Sequence, residues 1–260
     1  MFHDPKTVMT APVGDAIGSI VLSEDQRELF FAHRVGGAAG GQWNYRRALR
    51  ASPSDTFPMG TVVPELDAAC AVSDERGLDL SLDGLRAYLH CDSADSSAFG
   101  LVYLAERATS SASFVLSSGN LGTTGYGIGL SADELGLYTG DDQSVPSRMQ
   151  SPKFYTRSNR SSPFAAPQPI AGLEETGVVA PFVTSDGLTL VASQRGLLVA
   201  AHRQSTSTAF GPLETLFTPA DADTWHSSPV LSRDCSSVAY LEVKTRTVDV
   251  DPMVFRVASR

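Results

Sequence analysis

Four carboxylates, Asp15, Glu75, Asp79 and Glu175, together with the adjacent Trp225 and His226, are the residues of this chain best placed by type to do chemistry. Two carboxyls set across a glycosidic bond can work as general acid and general base. An indole offers a large contact face with one polar N–H, which suits ligand contact. Tyr126 and Arg76 complete the set. The neighbouring pairs Glu174 with Glu175 and Asp141 with Asp142 read as solvated loop charges before metal ligands. Cys70, Cys91 and Cys235 have no C-x-x-C spacing, so a zinc site is not expected. No G-x-S-x-G elbow marks a serine hydrolase. The glycine-rich Val35 to Trp43, VGGAAGGQW, lacks the helix and the Lys-Ser or Lys-Thr of a phosphate loop and reads as a surface connection. No cofactor is expected.

The elements that must position these residues recur along the chain. Five segments align on an Asp that follows an apolar run, at Asp25, Asp83, Asp133, Asp186 and Asp234, with spacings of 58, 50, 53 and 48 residues. Pro181 to Arg195, PFVTSDGLTLVASQR, is the clearest of them. A second mark keeps the same register: Arg50, Arg107, Arg157 and Arg203 are each followed seven positions later by Phe57, Phe114, Phe164 and Phe210. Each unit reads as four short strands. An apolar strand enters the Asp turn, an alternating strand leaves it, a third ends near the Arg, and a fourth begins near the Phe with prolines that an outer edge tolerates. Helical periodicity with caps is absent.

Four-stranded units at a period near 50 residues indicate a β-propeller. The expected fold is all-β, a single five-bladed domain with blades at about 11–66, 67–121, 122–173, 174–218 and 219–260. The last unit stops where the Arg falls, at Arg260, and lacks a fourth strand. Phe2 to Val8, FHDPKTV, matches the F-x-x-P-x-x-I of Phe164 to Ile170. It is therefore expected to pair with Met253 to Ser259 and close the ring, which removes open sheet edges. Cys70 and Cys91 flank one expected hairpin, a placement that permits a disulfide, and Cys235 falls in a turn.

Bulk properties narrow the function. The formal charge of -9, with basic residues scattered along the chain and no basic run beyond Arg46–Arg47, disfavours nucleic acid. No apolar run approaches a membrane span, and Met1 to Thr10 lacks the apolar centre of a signal peptide. A monomer is expected.

The repeat resembles the TolB-like propeller family, on Ser185, Asp186 and Gly187 with Ser193, Gln194 and Arg195, and more weakly on Ser81 to Gly84 and Ser23 to Asp25. It departs from that pattern where Gln26, Glu134 and Cys235 replace the turn glycine, and in having five units where TolB is six-bladed. The resemblance implies a bacterial, periplasmic or extracellular binding scaffold. The Asp turn itself reads as a cap in which Ser and Asp bond local backbone N–H groups.

In a propeller, ligands are expected at the mouth opposite those turns, where inner strands begin. Ligand contact there is expected from Trp225, His226, Tyr126, Glu75, Arg76 and Glu175, with His33, Arg34, Trp43, Asp92, Asp141, Asp142, Arg195 and Lys244 in the adjoining loops. Trp225 can equally plug the channel, and Arg34 and Arg195 suggest pairing with a neighbouring blade. The expected function is a non-catalytic scaffold holding a protein segment or a small polar ligand such as a glycan. The alternative is a glycoside-processing enzyme using funnel carboxylates.

Overall fold

The computed structural model describes residues 2–36, 41–68, 76–91, 100–118, 121, 127–140, 151–219, 221–232, 235–244 and 252–259. Side chains of residues 76 and 118 lie outside that description.

Each repeat folds into one four-stranded antiparallel sheet, and the five sheets are the blades of a five-bladed β-propeller. From the inner strand outward, the first blade is Ala16–Leu22, Glu28–Arg34, Trp43–Leu49 and Thr61–Val62. The second is Arg76–Leu80, Arg86–Cys91, Leu101–Glu106 and Val115–Ser118. The third is Gly129–Leu130, Gly136–Thr139, Lys153–Thr156 and Gln168–Pro169. The fourth is Val179–Val183, Thr189–Gln194, Leu197–His202 and Glu214–Phe217. The fifth is Thr224–Leu231, Ser237–Lys244, Val254–Ser259 and, as its outer strand, His3–Thr10. The N-terminal strand pairs antiparallel with Val254–Ser259, from His3 opposite Ser259 to Thr10 opposite Val254, and this pairing closes the ring.

Second strands read as unbroken apolar runs because both of their faces are buried. In the fourth blade, Leu190 and Ala192 pack toward Tyr138 and Leu173, while Val191 packs with Val238 and Tyr240 of the fifth blade. A strand of period two thus feeds two different inter-blade cores.

The repeat marks have visible tasks. Ser23, Ser81, Ser131 and Thr184 each donate to the carboxylate two residues on, at 2.6 Å, in Asp25, Asp83, Asp133 and Asp186. The same oxygen of each Asp accepts the backbone N–H of Arg27, Leu85, Leu135 and Leu188. These hydrogen bonds hold the four carboxyls below their usual range. The residue after each Asp is left-handed, with φ of 57° at Gln26, 66° at Gly84, 63° at Glu134, 71° at Gly187 and 54° at Cys235. Three repeats therefore place a side chain in a conformation that costs about 1 kcal/mol or more outside glycine.

Each recurrent Arg immediately follows a third strand and ties its blade together. Its Nε donates to the carbonyl of the left-handed turn residue: Arg50 to Gln26, Arg107 to Gly84, Arg157 to Glu134 and Arg203 to Gly187. Its guanidinium lies 4.2 to 4.7 Å from the ring of the Phe seven residues later. The backbone N–H of Phe57, Phe164 and Phe210 then donates to the carbonyls of Val8, within the outer strand of the preceding blade, and of Leu121 and Ala171, just beyond it. The fixed spacing of seven is therefore scaffold.

Two details depart from the sequence reading. A single helical turn, Pro64–Asp67, follows the first blade, started by a proline whose missing N–H costs nothing at that position; Asp67 accepts the Tyr45 N–H. Arg34 lies over Trp43 of its own blade at 5.0 Å and not over a neighbouring blade, because its strand ends directly beside the start of the next. Cys91 is disulfide-bonded and Cys235 is a free thiol; Cys70 lies outside the described residues.

Candidate functional site

The two ends of the channel differ. At the entry face, where inner strands begin, Trp225 is 44% exposed although it belongs to a strand. Its indole rests on the hairpin of the fourth blade. Arg195 and Gly196 have φ of 51° and 80°, the pair of positive values of a tight two-residue turn. Gly196 lies flat under the indole, and a Cβ placed there would stand 2.9 Å from Trp225 Cγ. The His226 N–H donates to the Gly196 carbonyl at 2.9 Å, and the Ser193 hydroxyl donates to the His226 carbonyl at 2.7 Å. These two bonds tie the His226 backbone to the fourth-blade hairpin and hold the indole over Gly196.

His226 itself is buried. Its ring packs on Tyr240 at 4.8 Å and its Nε2 stands 3.6 Å from Glu242, whose carboxylate is gripped by both arms of Arg256 at 2.8 Å. Burial lowers the His226 pKa against the pull of Glu242. Its imidazole is remote from solvent, and its backbone holds Trp225 in place. Gln194 donates to the Thr176 carbonyl at 2.7 Å, which brings exposed Glu175 to the same flank as the Arg195 turn and Trp225. Glu175 has φ of 58° in a turn, and its N–H meets the Ser151 hydroxyl. Glu174 accepts the Gly172 N–H. Arg195 and Lys244 are exposed. Glu75, Tyr126, Asp92, Asp141 and Asp142 lie outside the described residues, as does the side chain of Arg76.

Elsewhere on this face, Asp15 accepts from His33 Nε2 at 2.9 Å and from the Gly36 N–H at 3.0 Å. His33 is buried, and desolvation lowers its pKa more than Asp15 raises it. Asp15 is committed to holding this loop.

Asp79 does not join the entry-face carboxylates. It is the fourth residue of a five-residue inner strand, near the exit end, and is 8% exposed. Its two oxygens accept the N–H of Leu130, from the third blade, at 2.7 Å and of Leu80 at 2.8 Å. Desolvation pushes its pKa up to about 7 against those two donors. Below it the channel opens into a cavity of about 330 Å³ at the Asp-turn face, lined from all five blades, and above it lies a small space of about 30 Å³. The Asp-turn face, expected from its repetition to be scaffold, also holds this cavity. The signal was nonetheless present: four positions before the repeat Asp stand Val21, Asp79, Gly129, Phe182 and Val230, a single charge among apolar equivalents.

Among the described residues no group of three or more His, Cys, Asp or Glu is placed to hold a metal ion, and no helix is long and apolar enough to cross a membrane. No protein-family model and no curated protein sequence matches the chain. Solved structures do. The chain is similar to the GH43_1 enzyme from Xanthomonas citri complexed with xylotriose, at TM-score 0.65 and 12% identity over 98% of this chain and 89% of that one. It is similar to CoXyl43, a GH43 β-xylosidase/α-arabinofuranosidase from a compost microbial metagenome, at TM-score 0.63 and 11% identity over 98% and 95%. It is also similar to the "putative TolB" of Agrobacterium tumefaciens, at TM-score 0.51 and 11% identity over 94% and 83%. At such identities the likeness carries the propeller fold alone, and TolB-like membership is not specifically supported.

Proposed function

We propose that this protein is a non-catalytic binding propeller that holds a small polar ligand, a glycan above all, at its entry face, with Trp225 as the contact platform. The observation that carries this reading is the exposed indole clamped over Gly196. A rigid aromatic face costs little ordering on binding and presents one polar N–H at its rim. Glu175 and Arg195 flank it with opposite charges, while His226 acts as a positioning residue. Tyr126, Glu75 and Arg76 are proposed as further contacts around the same mouth. A periplasmic or extracellular location and TolB-like kinship remain part of the proposal.

Glycoside hydrolysis is the competing reading, favoured by the likeness to two glycoside hydrolases. A retaining or inverting mechanism needs two carboxyls within about 5 to 9.5 Å on either side of one bond. Asp15 is tied to His33 at the entry, and Asp79 is buried near the exit. An oligosaccharide microarray and a panel of aryl glycosides separate the readings. Array signals that vanish in Trp225→Ala, without sugar release, support binding. Turnover lost in Asp15→Asn or Asp79→Asn overturns it, and capture of peptides instead of glycans moves the ligand class to a protein segment.

A further inference from the structure

We propose that the funnel at the Asp-turn face is a second binding site, for a small aliphatic ammonium ion, with the Asp79 carboxylate as its counter-charge. The cavity, about 330 Å³, falls within the size of small-molecule pockets. Its walls are apolar where the inner strands end, chiefly Val21, Leu80, Leu130, Phe182 and Val230.

The polar groups around it are largely spent. Ser23, Ser81, Ser131 and Thr184 each donate to their turn Asp and accept a backbone N–H, so their hydroxyls have little capacity left. Arg107 is the cation that lines the cavity among the described residues, and its guanidinium is bonded to Glu28, the Gly84 carbonyl and the Ser110 carbonyl. Asp79 is different. Each of its oxygens accepts one N–H, and an ionised carboxylate has about four acceptor sites, so about two stay open at the head of the funnel.

Val21, Phe182 and Val230, which stand at the same repeat position as Asp79, line both this cavity and the small space above it together with that carboxyl. An acid surrounded at its own level by apolar side chains selects a ligand with a hydrocarbon body and a cationic end. Its raised pKa has the same origin, and a bound ammonium would restore the ionised form. The rim adds Glu24, Asp25 and Asp83, which favour a cation, and exposed Leu82, which extends the apolar wall. The site lies at the far end of the channel from Trp225 and does not rest on the entry-face reading.

The test is isothermal titration calorimetry at pH 8 with hexylammonium, hexanol and hexanoate as probes of one length and three charges. The expected result is saturable binding of hexylammonium, binding of hexanol at least tenfold weaker, and none of hexanoate. Asp79→Asn should weaken hexylammonium at least tenfold. Should that variant fold poorly, Leu82→Lys serves instead, because this side chain is 51% exposed and its replacement leaves the core intact. It should weaken the amine several-fold with an unchanged melting temperature. An Nα-acetyl-lysine methylamide arm assigns the source: binding as tight as hexylammonium points to a lysyl side chain of a protein. The proposal is overturned if no amine binds, if hexanol binds as well as hexylammonium, or if neither substitution changes the affinity.

Discussion

Replacing Asp79 with Asn should alter how stability depends on pH, and the size of the change follows from burial. Burial pushes the wild-type carboxyl up to about 7 in the folded protein, from an ordinary 3.8. Between these values the native state holds a proton that the unfolded chain has released, so this group loses stabilising effect as pH rises through the window. Three pH units at about 1.4 kcal/mol each give an upper bound of about 4 kcal/mol. Other groups oppose it. Burial holds His90 down to about 4 and depresses His33 and His226, and neutral buried histidines gain stability as pH rises toward 6.5. The raw wild-type profile therefore mixes opposite slopes, and the useful quantity is the variant minus the wild type. Urea unfolding at half-unit steps from pH 4 to 8 supplies it. The difference should move in the variant's favour by about 2 to 4 kcal/mol across the window, whatever constant offset the lost hydrogen bonds add. A difference that stays flat from pH 4 to 8 would refute the reasoning that Asp79 is desolvated in the channel.

The scaffold makes further predictions. Gln26→Gly and Cys235→Gly each relieve a left-handed side chain but lose the bond to Ser237 and a core contact respectively, so each should change stability by less than about 1 kcal/mol, whereas Glu134→Gly should clearly destabilise, because Glu134 bonds Arg86 and Tyr88 across the blade boundary; thermal denaturation ranks the three. Arg157→Ala removes bonds to the Glu134 carbonyl, the Arg160 carbonyl and the Tyr88 hydroxyl, and should cost about 3 kcal/mol in urea melts. Gly196→Ala should displace Trp225, shift its fluorescence and weaken glycan binding with His226 still buried.

Architecture is legible because its marks repeat, the Asp turn five times and the Arg and Phe pair four times. The Asp turns and the Arg and Phe pairs map onto bonds seen in each of the first four blades, and the unpaired last unit marks the closing strand. The single turn at Pro64–Asp67 escaped because four residues are too few to show a helical period. Sites are harder to read, since they depend on what does not repeat. Trp225 is recognisable as an aromatic at a strand entrance, but its seat is Gly196 in another blade, and His226 beside it turns inward because neighbouring strand residues face opposite sides. Asp79 was visible as a carboxylate. Its level in the channel required the register of all five inner strands, which set it among Val21, Phe182 and Val230 and away from Asp15.

The most direct measurement is isothermal titration calorimetry of wild type and Trp225→Ala with the strongest glycan from the microarray, since one trace reports both binding and turnover. A non-catalytic glycan-binding propeller gives a saturable heat that returns to baseline after each injection, weakened at least tenfold in Trp225→Ala. Equal binding by the variant, or a sustained heat flow from continuing hydrolysis, would contradict it.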